Sequence, residues 1–258
     1  MRLAILLVLA ACGEVVTPLA DAPAAPTGDG ATSGDAPPVD AAIDAPPCAA
    51  SLFARDATTQ MLYQLNEGTS TLAIDSSGHN RDGRFAAAVS SGPTWTDGKF
   101  GGALAFSADR VDIPLSPAMT WGSTFSVEMI VKPSATDPDG SIVGLNPVFA
   151  LWSGLGGKPY WRLNGSSANL LGPALDPSRW AYVAATYDGT AMHLYVDGQL
   201  VASQALGTVA QTATSAAYLG CAPGDNCFGG LLDEVRVSNV ALTAAAIAST
   251  AARAAACE

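Results

Sequence analysis

The sequence predicts an all-β domain, a sandwich or barrel of antiparallel strands that ends in one short helix and is preceded by a disordered segment. Three observations predict it. Beyond the N-terminal segment, short apolar-alternating stretches are separated by Gly, Asp, Asn and Pro, a strand-and-turn pattern. Residues 48–258 leave 211 positions, a length that suits a single sandwich or barrel. Only Thr243 to Ala256 reads as helix, because Thr243 is a fair N-cap and alanine dominates after it.

In chain order, Arg2 is followed by an apolar stretch, Leu3 to Leu9, and then by Ala10, Ala11 and Cys12. The stretch is far too short to span a bilayer. A basic residue, a short apolar segment, two small residues and a cysteine resemble a bacterial lipoprotein signal. That resemblance implies a signal peptide of residues 1–11, cleavage before Cys12 and lipid attachment to its thiol. An ordinary secretory signal with a chance cysteine is the alternative. One acyl chain binds a membrane only marginally, at about 0.8 kcal/mol per buried methylene. Lipoproteins of this type carry several chains, so the resemblance implies a stable membrane anchor. Gly13 stands where an Asp would resemble an inner-membrane retention signal. The expectation is therefore the outer membrane, on its periplasmic or cell-surface side.

Residues 12–47 are predicted as a lipid-anchored, disordered Ala/Pro/Asp-rich linker. From 13 to 47 the acids are Glu14, Asp21, Asp29, Asp35, Asp40 and Asp44, with no Lys, Arg or aromatic residue. Such a segment buries too little apolar surface to offset the entropy of ordering it. Pro interrupts helix and ladder alike. As a flexible coil it would span roughly 30–35 Å, and as extended polyproline about 100 Å. Reach away from the membrane is its expected role; a linker of unselected length is the alternative.

The predicted domain, 48–258, carries 11 basic against 17 acidic residues, a net of −6. It has no basic cluster, which argues against nucleic acid, and its acidic balance argues against an anionic membrane surface. Cys48, Cys221, Cys227 and Cys257 form an even set in an exported protein, which favours disulfides. Three connectivities are possible. Cys221–Cys227 is chosen because its intervening residues, rich in Gly, Pro and Asn, make a closable loop; Cys48–Cys257 then joins the domain's ends. Closing so long a loop contributes at most about 5 kcal/mol. Zinc is set aside, since His79 and His193 lie far from any cysteine and the spacing fits no finger.

The strands follow in order. Phe125, Val127, Met129 and Val131 point one way and Ser126, Glu128 and Lys132 the other. Val148–Trp152 and Tyr160–Leu163 flank a turn. Tyr182–Tyr187 leads into the turn Asp188-Gly189-Thr190, and the next strand runs through Met192, Leu194 and Val196. Asp197-Gly198 is a hairpin signal because both positions tolerate positive φ. The chain returns through Leu200, Val201 and Ala202, and Leu231 to Val237 is a late strand.

Trp180-Ala181-Tyr182-Val183-Ala184-Ala185-Thr186-Tyr187-Asp188-Gly189-Thr190 with Leu194-Tyr195-Val196-Asp197-Gly198 resembles the central hairpin of laminin-G-like (concanavalin A-like) domains. Three other stretches agree in order: Ile74 to Gly83, Gly98 to Leu104, and Gly229 to Val237 with Ala241-Leu242-Thr243. The resemblance runs from about residue 60 to the C-terminus. It implies a jelly-roll sandwich of two stacked antiparallel sheets, one of them concave. The family hosts lectins, adhesion modules, appended domains of hydrolases and some enzymes, so fold alone leaves function open.

The family comparison also implies a structural calcium near the first turn. Asp75, Asp82 and Asp233 are its candidate ligands, with carbonyls around His79 and Asn80. Calcium takes six to eight oxygens at about 2.3–2.6 Å, which such a set can supply. Period-two alternation puts Asp233 on the core face with Leu231, Val235 and Val237, where a carboxylate needs a partner. The alternative is that Asp233 accepts backbone N–H groups or pairs with Arg81 or Arg84, and that Asp75 closes an Asx turn. The acidic loop Asp137-Pro138-Asp139-Gly140 reads as a turn.

Catalysis is not expected. Concanavalin A-like glucanases place two Glu and an Asp at alternate positions of one strand. Here the Glu residues are Glu14, Glu67, Glu128, Glu234 and Glu258, and none lies in such a triplet. Asp233 and Glu234, being adjacent, are expected on opposite faces, and Glu128 is expected to face solvent. Neither His has a Ser or Cys context, and no phosphate loop opens a helix. Binding of a glycan or protein is the expectation. Trp152, Tyr160 and Arg162 form the candidate platform, while Trp161 points the other way and joins Trp95, Trp121 and Trp180 as core. The Cys221–Cys227 loop is a second candidate rim. A structural or adhesion component without a small ligand, and an enzyme with an unrecognised site, are the alternatives.

Overall fold

Apolar alternation in the sequence becomes two stacked sheets. The structure is a computed structural model that describes residues 51–257, apart from 87–91, 137–138, 146–147, 155, 164–168, 210–212 and 225. The predicted signal peptide and linker, Cys12 and Cys48 lie outside the described residues, as do Asp137 and Pro138 of the acidic loop. Among the described residues no helix is long and apolar enough to cross a membrane.

The described residues form sixteen strands and one helix. They are β1 (Thr59–Tyr63), β2 (Leu72–Ala73), β3 (Gly83–Ala86), β4 (Thr94–Asp97), β5 (Gly102–Ser107), β6 (Arg110–Thr120), β7 (Phe125–Pro133) and β8 (Gly140–Leu145). Then come β9 (Phe149–Gly154), β10 (Lys158–Leu163), β11 (Asn169–Leu171), β12 (Ala181–Tyr187), β13 (Ala191–Val196), β14 (Gln199–Ala205), β15 (Ala213–Leu219), β16 (Gly229–Ser238) and α1 (Ala244–Ala255). The back sheet has the order β14-β13-β12-β7-β16-β5-β4, with β1 also paired to β16. The front sheet has the order β11-β10-β9-β8-β15-β6-β3-β2.

Between the sheets lies the main core, where Val127, Met129 and Val131 of β7 meet Phe149, Leu151 and Trp161 of the front sheet. Each such side chain contributes roughly 1.5–3 kcal/mol by leaving water. Phe125 and Phe149 stack at 5.3 Å between ring centroids. A second apolar cluster lies on the outer side of the back sheet: Leu52, Phe53, Phe100, Ile130, Tyr182 and Ile247. The residues 51–53, the turn before β5 and α1 all pack there. For this reason β12 is buried along its whole length instead of alternating.

Local chemistry sets the connections. Asp197 and Gly198 take φ of 47° and 81°, the two positive values that a tight hairpin turn requires. Asp188 Oδ1 accepts the N–H groups of Thr190 at 2.8 Å and Ala191 at 2.7 Å, closing the turn into β13. Thr243 Oγ1 accepts the Ala246 N–H at 3.2 Å and caps α1. The Cys221–Cys227 disulfide is present. Cys257 is disulfide-bonded as well, while Cys48, its predicted partner, lies outside the described residues.

Three expectations are corrected. In β16, Asp233 pairs with Ile130 and Arg236 with Glu128, so Glu234 and Val235 stand opposite one residue of β7. This is a β-bulge, with Glu234 at φ 48°. It resets the alternation: Leu232, Val235 and Val237 face the main core, and Asp233 turns outward with Ile130. Glu128 does not face solvent. It is 1 % exposed, pairs with Arg236 at 2.6 Å and accepts the Tyr182 hydroxyl. Trp161 and Trp121 are core, but Trp95 and Trp180 are only partly buried, against the main core and the outer cluster respectively.

Candidate ligand-binding face

The outer side of the back sheet is covered over Ile130 and Tyr182 by residues 51–53 and α1, and the outer side of the front sheet carries an open aromatic face. On that face Trp152 of β9 stands directly opposite Tyr160 of β10. Their rings lie 5.9 Å apart at 57°. Both are half-buried, whereas Trp161 between Tyr160 and Arg162 is fully enclosed. Strand alternation explains this directly. Arg162, two residues along and exposed, shares the face and pairs in register with Ala150. The three predicted ligand-binding residues are thus brought together. With Asp139, Lys158 and Leu171, Trp152 and Tyr160 line a depression of about 340 Å³.

Cross-strand register extends the face. Arg162 pairs with Ala150, Ala150 with Gly144, Gly144 with Tyr218, Tyr218 with Asp112, and Asp112 with Arg84. Paired residues of an antiparallel sheet point to one side, so this row crosses the front sheet from β10 to β3. Its middle, Ala150 and Gly144, is nearly flat. A Cβ placed on Gly144 would meet only Ser141 Oγ, at 3.4 Å. Beyond it, Tyr218, Arg84, Arg110 and Asp112 line a second depression of about 400 Å³. Arg110 Nε donates to Asp112 Oδ1 at 2.6 Å. Sequence reasoning missed Tyr218 and its row. The local signal was there, because Tyr218 lies between two buried residues, Ala217 and Leu219.

Asp75 and Asp82 of the predicted calcium set meet in one turn. Asp75 Oδ1 accepts the N–H groups of Leu62 at 3.1 Å and Ser77 at 3.0 Å. Its Oδ2 accepts the Ser77 hydroxyl at 2.8 Å and the Arg81 N–H at 3.1 Å. Those donors fill the carboxylate's capacity and make it the anchor of a turn. Asp82 Oδ1 accepts the Asp75 N–H at 2.9 Å. Asp233 lies on β16 and anchors another loop, its Oδ2 accepting the Lys99 and Phe100 N–H groups, both at 2.9 Å. Among the described residues no three metal-capable side chains converge.

Two constellations outside the face could suggest chemistry. The bulge puts Asp233 and Glu234 both on the outer side of the back sheet, not on opposite faces, and neither is exposed. Glu234 Oε2 accepts the Phe53 N–H at 3.2 Å. Burial pushes the Asp233 carboxyl up to about 8, and the charge of Glu234 adds to the rise. Burial likewise pushes Glu234 up to about 7. These acids hold loops in place and do not front a cleft. On the outer strands of the back sheet, Ser203 Oγ lies 2.9 Å from His193 Nδ1, and His193 Nε2 lies 3.3 Å from Asp188 Oδ2. Nothing in local sequence pattern hints at this chain of contacts, because register between β13 and β14 creates it. Asp188 Oδ1 is already committed to its turn, and Ser203 is exposed on the sheet's last strand.

A family model described as the concanavalin A-like lectin/glucanases superfamily matches residues 106–248, more than half of the chain. No curated protein matches the sequence. Among solved structures, the chain is similar to domain 4 of AbnA, a GH43 extracellular arabinanase from Geobacillus stearothermophilus, in complex with arabinotriose. The TM-score is 0.59 at 22 % identity, covering 75 % of this chain and 98 % of that one. It is similar to the binding domain of Paraclostridial Mosquitocidal Protein 1, with TM-score 0.60 and 12 % identity over 75 % of this chain and 52 % of that one. It is similar, too, to the binding domain of botulinum neurotoxin DC in complex with rat synaptotagmin II, with TM-score 0.57 and 15 % identity over 76 % and 52 %. The chain spans about half of each toxin fragment. At these identities the likeness establishes the fold.

Proposed function

Because the chain belongs to the concanavalin A-like lectin/glucanases superfamily, we propose that it is a non-catalytic recognition module that binds a glycan on the open face of its front sheet. We also propose that lipid on Cys12 holds it at the bacterial outer membrane. One observation carries the binding reading: Trp152 and Tyr160 stand side by side on an exposed face, over a depression of about 340 Å³. A sugar ring offers an apolar face to stack on such rings and hydroxyls for nearby charged groups. Arg162, Lys158 and Asp139 supply those groups. The arabinotriose complex of AbnA domain 4 supports a glycan on this fold.

A protein ligand is the second reading. It is favoured by Leu171, 54 % exposed beside the platform, and by the synaptotagmin complex of the neurotoxin domain. A glycan array probed with the full chain separates the two. The expected result is saccharide binding that falls at least about tenfold, or ~1.4 kcal/mol, with Trp152→Ala or Tyr160→Ala. Capture of a protein partner with no glycan signal would replace the first reading by the second. Release of reducing sugar by the purified protein would overturn both in favour of catalysis.

A further inference from the structure

The two depressions on the front sheet are ends of one path, and their charge is opposite to that of the rest of the domain. Residues 48–258 hold 11 basic against 17 acidic residues. On this face, however, Arg84, Arg110, Lys158 and Arg162 stand against Asp112 and Asp139 alone among the lining and row residues. Arg110 is paired with Asp112. Arg84 and Arg162 are exposed at the two ends of the register row, and their guanidinium groups make no hydrogen bond or ion pair among the described residues.

Resting on the glycan reading above, we propose that the face takes a linear glycan bearing anionic groups, carboxylate or sulfate, laid across the strands from Arg162 to Arg84. Each guanidinium offers a planar fork that matches either anion in a bidentate way. Five strand intervals separate β10 from β3, which sets the two arginines about 24 Å apart. Such a separation fits an extended chain of several sugars, not a single terminal residue. Trp152 and Tyr160 stack the chain near one end and Tyr218 near the other. Ala150 and Gly144 leave the middle of the path clear, since a Cβ on Gly144 would meet only the Ser141 hydroxyl.

Calorimetric titration of the full chain tests this with three probes: oligogalacturonides for the carboxylate, carrageenan oligosaccharides for the sulfate, and neutral galacto-oligosaccharides of equal length. Each is used in a length that spans about 24 Å and in one that is too short to do so. The expected result is that a long anionic oligosaccharide binds about tenfold or more tighter than the neutral one, with affinity falling as salt rises. Binding of either anionic series supports the proposal and identifies the anion. Arg84→Gln and Gly144→Val should each weaken the long ligand about tenfold while leaving the short one and the melting temperature unchanged. Equal affinity for neutral and anionic chains would overturn the proposal and leave the glycan module intact. Long-chain binding indifferent to both variants would overturn the extended path. No binding to any saccharide would remove the proposal together with the function it rests on.

Discussion

Single residues set the pH response of this domain. Asp233 and Glu234 are raised to about 8 and about 7 by burial. Unfolded, both would ionise near pH 4. Between those limits the folded chain retains protons that the unfolded chain releases, so stability falls as pH rises from about 4 to about 8. Asp56 and Asp188 act outside this window. In each, desolvation is the largest single effect and pushes upward, but it is outweighed by the hydrogen bonds taken together, from Thr58 and Thr59 to Asp56 and from Thr190 and Ala191 to Asp188. Both carboxyls are thereby held below the usual range. Their contribution is lost only as pH falls below about 4. The melting temperature should therefore be higher at pH 5 than at pH 8, and Asp233→Asn should narrow that gap. A melting temperature that climbs steadily to pH 8 would contradict this account. Glu128 makes a separate prediction. Glu128→Gln leaves Arg236, whose side chain is 11 % exposed, without its counter-charge. It should cost about 3 kcal/mol in urea denaturation, with no loss of ligand affinity on the front face.

At the scale of elements, α1 and the residues 51–53 act as one brace on the back sheet. Arg253 Nη1 donates to the Leu52 carbonyl at 3.1 Å, and the Arg236 guanidinium lies 4.7 Å from the Phe53 ring centroid. Ile247 is fully buried in this brace. Ile247→Ala should lower stability by about 2–5 kcal/mol, measured by chemical denaturation, again with no effect on binding. What the sequence made legible follows the same division. The hairpin at Asp197-Gly198, the Thr243 cap and the shared face of Trp152, Tyr160 and Arg162 depend on residues a few positions apart, so local pattern was enough. The burial of Glu128 depends on residues 51–53 and α1, far apart in sequence, meeting over the back sheet. The reversal of Asp233 depends on a bulge, where register with β7 forces Glu234 to positive φ, and no propensity in that stretch announces it. The partnership of Tyr218 with Gly144 and Asp112 is a matter of strand order, which alternation along one strand does not encode.

For the whole molecule, the sandwich has two unlike outer surfaces: the braced back and the open front. The proposed acylation of Cys12 is tested at this scale. Cells fed a clickable palmitate analogue should label the native protein and leave a Cys12→Ser variant unlabelled in the soluble fraction. Native protein recovered in soluble form with an unmodified thiol would refute the anchor. Leu52 and Phe53 pack across the back of the domain, so a protein truncated to begin at Ser51 would start at the rear. A fluorophore, bead or sensor chip attached by that end would leave the aromatic palm of the molecule unobstructed.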